Sequence, residues 1–265
     1  MNKFTYALAL GAGLVLSLAA PNAQATPIVQ SLTTADISAS QFNSLFTPTT
    51  GDTPMTQSYS FLNTGTAGTV TSEVFTGTGA AQGAFAYAYQ FTVNNATDTT
   101  TNQPASVNST SMLFNATPVV SNFTGSNADA YLVTSGSIGS LSSPSGGSGQ
   151  GVQSPSEIAW QPGTSTGSLT FQYLNPATGA GPLAAGATSA TIVVLSTQAP
   201  SQQNVFVSLQ NPEPQNGYPV VYSPSAGTID QVAAPEPATV LAWTSVIAAL
   251  AVGHRYRRNH KPVMA

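Results

Sequence analysis

Residues 85–93 read FAYAYQFTV, and here a large apolar residue alternates with a small or polar one. A period of two places all the large side chains on one face of a β-strand. Asn94-Asn95 follows directly and predicts a turn. The stretch therefore predicts a strand that turns a row of aromatic rings toward a core.

Shorter stretches of the same kind lie on both sides of residues 85–93. They predict strands at 58–62, 70–75, 111–114, 119–123, 130–134, 168–174, 190–196 and 204–209. Clusters of Gly, Pro, Asn and Thr separate them at intervals typical of a sandwich. Residues 35–46 fit a short helix or another strand. The sequence thus predicts an all-β body, sandwich or jelly-roll-like, over residues 26–209.

Two segments of biased composition interrupt this pattern. Residues 136–156 read GSIGSLSSPSGGSGQGVQSPS, which predicts a flexible linker or a long loop. It either divides two small β units or lies within one sandwich, and the few strands on each side favour one sandwich. Residues 210–234 are Pro-rich and lack periodicity, which predicts a spacer between the body and a membrane.

The body has an unusual set of charged residues. From Thr26 to Ala234 there is no Lys, Arg, His or Cys, while eight of the nine acids lie there. Serine and cysteine triads and zinc sites need imidazole, amine or thiolate, so these site classes are excluded. Without cations to neutralise phosphate, nucleic-acid binding is excluded as well. We therefore expect no catalytic, cofactor-binding or metal-binding residues and no enzymatic activity.

Three sets of residues could contradict that expectation. Asp129 and Glu157 could pair as glycosidase carboxylates, although the acids are scattered along the chain. Four aromatic residues could stack on sugar rings, although core packing is the more frequent role: Tyr59, Tyr131, Trp160 and Tyr173. A Thr/Gly-rich stretch over 64–78 could form a flat array of hydroxyls, but it has no regular period.

The N-terminus has the three parts of a secretory signal peptide. Lys3 supplies a positive charge, residues 7–20 are apolar, and Ala23-Gln24-Ala25 places small residues at the cleavage positions. We expect signal peptidase to cut after Ala25, which makes residues 1–25 the signal peptide and exports the body.

The C-terminus, residues 235–265, combines three features in a fixed order. Pro235-Glu236-Pro237 precedes an uncharged apolar run over 238–253, and a basic tail follows: Arg255, Arg257, Arg258 and Lys261. A helix over about 237–255 would be about 28 Å long, nearly enough to cross the hydrocarbon core of a bilayer. Because basic residues stay cytoplasmic, we expect a single transmembrane helix with the body on the far side.

This tail resembles the PEP-CTERM sorting signal of exported bacterial proteins. Pro235, Glu236 and Pro237 match the motif, and Arg255, Arg257 and Arg258 match the basic end, although Tyr256 interrupts the arginines and residues 259–265 follow them. Pro212-Glu213-Pro214 repeats the motif, but no apolar run follows it. The resemblance implies recognition by exosortase, a membrane transpeptidase-like enzyme, with cleavage near Pro235–Pro237.

The resemblance also implies a destination. The body would be held briefly in the membrane and then released or transferred to the cell surface or the extracellular polysaccharide matrix. We therefore expect a structural component of that surface or matrix. The alternative is a carbohydrate-binding or adhesive module, and a hydrolase is a distant third.

Overall fold

The computed structural model describes residues 29–62, 64–99, 101–143, 152–163, 166–208 and 215–225. Within these ranges the chain is mostly β-structure arranged in sheets, as the sequence predicts. The first strands in chain order are β1 (Gln30–Ser31), β2 (Thr34–Ile37), β3 (Phe46–Pro48), β4 (Met55–Phe61), β5 (Ala67–Gly77), β6 (Phe85–Val93), β7 (Ser106–Val107), β8 (Ser109–Leu113), β9 (Ala130–Val133) and β10 (Gly136–Ile138). The remaining strands are β11 (Leu141–Ser143), β12 (Val152–Gln153), β13 (Glu157–Pro162), β14 (Gly167–Gln172), β15 (Leu183–Ala184), β16 (Thr188–Ser189), β17 (Thr191–Ser196), β18 (Pro200–Ser208), β19 (Gln215–Asn216) and β20 (Val220–Pro224).

Two sheets contain most of these strands. The smaller sheet has the order β1-β13-β14-β8-β18-β20, and all its pairs are antiparallel. The larger sheet has the order β19-β4-β5-β6-β17-β9-β2, in which β2 and β9 run parallel. Strands β3, β12 and β16 join this sheet beside its main path, and β10-β11 and β7-β15 form separate pairs.

The main core lies between the facing sides of the two sheets. Tyr87, Tyr89 and Phe91 of β6 are fully buried, which confirms the ring face predicted for this strand. Tyr87 meets Phe114 edge-on with ring centroids 5.7 Å apart. The ring centroids of Tyr89 and Phe91 lie 5.7 and 5.8 Å, respectively, from the ring centroid of Phe171 in β14. Aromatic contacts thus join the central strand of one sheet to the other sheet.

A second apolar cluster covers part of the outer side of the larger sheet. Helix α1 (Ala39–Leu45) begins with a capping box, in which Ser38 and Gln41 exchange hydrogen bonds. Its Phe42 ring stacks on Phe46 at 4.9 Å and meets Phe75 of β5 edge-on at 5.0 Å. Residues 35–46, for which the sequence left helix and strand open, therefore contain the end of β2 and then α1.

The prediction of a flexible loop over 136–156 is wrong for the residues described there. β10 and β11 form an antiparallel hairpin with Ile138 and Leu141 buried, and β12 pairs with β16. Glu73 of β5 holds the hairpin turn, because its Oε2 accepts hydrogen bonds from Ser140 N at 2.8 Å and Ser140 Oγ at 2.9 Å. Gly139 is required at this turn: its φ is +54°, and a Cβ there would collide with the Glu73 carboxylate.

The prediction of a spacer over 210–234 is wrong for residues 215–225. β19 pairs with β4, and β20 forms the edge of the smaller sheet beside β18. Val221 is fully buried, and the Tyr222 carbonyl accepts the Tyr89 hydroxyl at 2.8 Å. The folded body therefore extends beyond the predicted boundary at 209, because its last strands pair with distant partners.

One predicted strand, residues 119–123, lies in a loop between β8 and β9. Residues 119–123 form only an isolated bridge, between Ser121 and Ala128. Their backbone is still anchored to the larger sheet, since Val119 N donates to the Leu195 carbonyl at 3.0 Å. The other predicted strands overlap observed ones, with boundaries that shift by a few residues.

Candidate functional site

The residues of the predicted targeting signals lie outside the described ranges. They are Ala23 and Ala25 of the signal peptide, Pro235, Glu236 and Pro237 of the sorting motif, and Arg255, Arg257, Arg258 and Lys261 of the basic tail. Within the described ranges, no helix combines the length and the apolar character needed to cross a membrane. The sorting signal and its helix therefore stay predictions.

The two carboxylates weighed as a glycosidase pair lie beside the same surface segment. Asp129 Oδ2 accepts a hydrogen bond from Thr33 N at 3.1 Å. The preceding residue, Leu32, donates from its backbone N to the carbonyl of Ile158, the neighbour of Glu157. Glu157 is exposed, and Asp129 is already bound by a backbone N–H. Both carboxylates therefore lie near residues 31–33, where Asp129 serves to bind the backbone of Thr33.

The four aromatic residues weighed as sugar platforms are core residues. Tyr59, Tyr131, Trp160 and Tyr173 are each at most 1% exposed. The Tyr59 hydroxyl donates to the Thr92 carbonyl at 2.6 Å, and Trp160 Nε1 donates to the Phe114 carbonyl at 3.4 Å. These side chains support the fold and are inaccessible to a ligand.

The Thr-rich stretch at 64–78 does not present a free hydroxyl array either. On the outer side of the larger sheet, the hydroxyls of Thr69 and Thr92 lie 2.8 Å apart, and those of Thr56 and Thr71 lie 3.0 Å apart. Cross-strand Thr pairs of this kind stabilise a sheet. The hydroxyls are therefore engaged with one another.

A cavity of about 670 Å³ lies at one side of the body. Its one acidic side chain is Asp98, which is 6% exposed and whose Oδ1 accepts a hydrogen bond from Thr101 N at 2.9 Å. The Asp98 carbonyl also accepts from Asn102 N at 2.8 Å, and Asn102 has φ of +55°. The carboxylate thus binds the backbone of Thr101, which is a structural role.

The outer side of the smaller sheet is a different kind of surface, which we name the open face. It is formed by the outward side chains of β1, β13, β14, β8 and β18, namely Ser31, Glu157, Ala159, Gln161, Ser168, Thr170, Gln172, Ser109, Ser111, Leu113, Asn204 and Phe206. Every one of these side chains is partly or fully accessible. The open face is polar and continuous across five strands, and its one charged side chain is Glu157 at the start of β13.

Two aromatic rings stand at the β18 end of the open face. Phe206 is 47% exposed, and Tyr218, in the turn before β20, is 52% exposed. Their ring centroids are 5.0 Å apart with the planes tilted by 53°. Among the residues that the structure describes, these two are the aromatic side chains with large exposure.

Sequence reasoning missed both rings. Phe206 lies between Val205 and Val207, so three apolar residues in a row hide which one points outward. Tyr218 lay within the predicted spacer. The pairing of β18 with β8 and β20 decides their positions.

Across the described residues, no group of three or more His, Cys, Asp or Glu side chains could hold a metal ion. Comparison of the chain with protein-family models, with curated proteins and with solved structures found no match.

Proposed function

We propose that this chain is an exported, non-enzymatic β-sandwich protein that serves as a structural component of the cell surface or extracellular matrix. Signal peptidase removes residues 1–25, the C-terminal helix holds the protein in the membrane, and exosortase cleaves near Pro235–Pro237. The body is then released or transferred to the extracellular side.

The observation that carries this proposal is the distribution of charge along the chain. All five Lys and Arg residues and both His residues lie in the two terminal segments, and the 209 residues between Thr26 and Ala234 contain none. Positive charge at the start of one apolar stretch and at the end of another is the arrangement used for export and membrane orientation. The two ends therefore act as targeting signals and the middle as the exported part.

The described body agrees with a structural role. Its buried acid Glu73 holds a hairpin turn, and Asp98 binds the backbone of Thr101. Three of its buried tyrosines, Tyr59, Tyr87 and Tyr89, donate to backbone carbonyls, as Tyr87 does to Gln198 at 2.7 Å. Apolar burial and backbone hydrogen bonding stabilise such a fold without ion pairs or disulfides.

The processing step can be tested with matched variants in a host that carries exosortase. Glu236→Ala alters the predicted motif, and Glu213→Ala alters its copy at 212–214 as a control. Trypsin cannot cut between Lys3 and Arg255, so mass spectrometry of the trypsin-treated protein retains the body intact. We expect wild type and Glu213→Ala to begin at Thr26, to end near Pro235–Pro237 and to leave the membrane.

We expect Glu236→Ala to keep its tail and to remain in the membrane fraction. A soluble extracellular protein whose tryptic body fragment ends at Arg255, the first trypsin site of an uncleaved tail, would contradict exosortase processing. Wild type that stays in the membrane and gives this same fragment would replace transient anchoring with a permanent single-helix anchor.

A further inference from the structure

We propose that the open face, together with Tyr218, binds a neutral polysaccharide built of pyranose rings. This inference rests on the proposed function for the presence of polysaccharide beside the body. The binding itself depends only on the folded body.

The first support is the availability of the polar side chains. Phe206, Ser111, Thr170, Ala159 and Ser31 form one cross-strand row, each paired with the next. At a spacing of about 4.8 Å between strands, this row is about 19 Å long. Leu113, Ser168 and Gln161 form a second row beside it.

The polar groups in these rows differ from the Thr pairs of the larger sheet. Within the described part of the chain, the side chains of Ser111, Ser168, Thr170 and Gln161 make no hydrogen bond to another protein group. Their hydroxyls and amide therefore remain available to a ligand rich in hydroxyl groups.

The second support is charge. Among the described residues, the two rows above carry no charged side chain; Glu157 lies at the start of β13, and Asp129 binds Thr33 beside Ser31. An anionic polymer would find no cation to pair with, and a cationic one would find only these two carboxylates at the edge of the rows. The surface therefore suits a ligand without charge.

The third support is the ring pair of Phe206 and Tyr218. Exposing two large aromatic side chains to water is unfavourable unless a partner covers them. A pyranose ring carries C–H groups on its faces and hydroxyls around its edge, so its face fits an aromatic ring while its edge fits Ser, Thr and amide groups. A protein partner would instead favour a wider apolar centre than these rings and Leu113 provide.

The test uses the full-length chain in a detergent that has no sugar headgroup, so that its outcome does not depend on tail processing. Affinity electrophoresis measures binding to a soluble neutral β-1,4-linked glucan, hydroxyethyl cellulose, and to anionic alginate. The test variant is Phe206→Thr with Tyr218→Ser, and Val120→Thr serves as the control because Val120 is 58% exposed outside the open face. Circular dichroism checks that each variant is folded.

We expect hydroxyethyl cellulose to retard wild type and Val120→Thr equally, with affinity at least about tenfold weaker in the double variant. Phe206→Tyr, which keeps a ring, should retain binding. Should the double variant misfold, Tyr218→Ser alone, at an exposed turn, should still weaken binding.

Three results would overturn the inference. They are no retardation of wild type, equal retardation of wild type and a folded double variant, or stronger retardation by alginate. Analytical ultracentrifugation adds a fourth: a wild-type dimer that the double variant abolishes would make the open face a contact between copies. The export and cleavage experiment is unaffected by any of these results.

Discussion

A tyrosine hydroxyl in the core needs a hydrogen-bond acceptor, and for three tyrosines the fold supplies a backbone carbonyl. Tyr59, Tyr87 and Tyr89 donate to the carbonyls of Thr92, Gln198 and Tyr222. Each bond links residues that are far apart in sequence. The tyrosines thus combine apolar packing with fixed polar contacts, which helps a body without cations or cysteines to hold a defined structure.

A buried hydroxyl without a hydrogen-bond partner instead lowers the stability of the fold. Thr110 is fully buried, and its Oγ1 has no hydrogen-bond partner in the described chain. We expect Thr110→Val to raise the free energy of unfolding by about 1 kcal/mol, because the substitution keeps the shape and removes the desolvated hydroxyl. Urea unfolding followed by circular dichroism measures the change.

The matched control is Thr191→Val. Thr191 is equally buried, but its Oγ1 accepts a hydrogen bond from Gln90 Nε2 at 3.3 Å. We expect this substitution to lower the free energy of unfolding by about 0.5–1 kcal/mol, because it removes that hydrogen bond. Destabilisation of similar size at both positions would show that the Thr110 hydroxyl has a partner after all.

At the scale of elements, the last strand of the body tests the corrected C-terminal boundary. We compare a chain of residues 26–208 with one of residues 26–225, and Trp160 reports folding because it is the one tryptophan in both. The shorter chain lacks β20, and with it the buried Val221 and the carbonyl acceptor for Tyr89. We expect the free energy of unfolding of the shorter chain to be lower by at least about 5 kcal/mol, which is enough to unfold a domain of ordinary stability.

The longer chain should unfold cooperatively in urea, with a blue-shifted Trp160 emission before the transition, since this side chain is fully buried. If both chains unfold at the same urea concentration, then residues 209–225 act as a spacer and the pairing of β20 with β18 contributes nothing to stability.

At the scale of the whole molecule, the charge composition predicts an unusual pH dependence. Residues 26–234 contain no His, Cys, Lys or Arg, so the N-terminal amino group is the one group whose ordinary pKa lies between about pH 6 and pH 9. Burial raises the pKa of Tyr59, Tyr87, Tyr89 and Tyr173 well above the ordinary value. These side chains stay neutral in the folded state at a pH where the unfolded chain ionises.

Below about pH 10 both states keep their tyrosine protons, so these groups do not change stability. Above it the unfolded chain releases protons that the folded chain retains, so the free energy of unfolding falls as pH rises. Four such tyrosines give a slope of up to about 5 kcal/mol per pH unit. Urea unfolding of residues 26–234 from pH 6 to pH 12 measures this profile.

Tyr89→Phe removes one of the four groups and should reduce the alkaline slope by about a quarter. A steady loss of stability between pH 6 and pH 9 would contradict the prediction, because no side chain of the body is expected to titrate there.

The sequence by itself determined the β class, the aromatic core face of β6 and the exclusion of imidazole, amine and thiolate chemistry. These properties follow from local alternation and from composition, which need no knowledge of distant contacts. The same kind of reading predicts the two targeting signals, since signal peptides and membrane helices are defined by contiguous residues.

Only the tertiary structure decided which segments pair and which side chains remain exposed. Residues 136–143 form a hairpin because Glu73, far away in sequence, binds its turn, and residues 220–224 form a strand because β18 offers a free edge. Phe206 is exposed while its apolar neighbours are buried, because its register with Ser111 turns it outward. Strand pairing joins residues that are distant along the chain, so no local pattern encodes these outcomes.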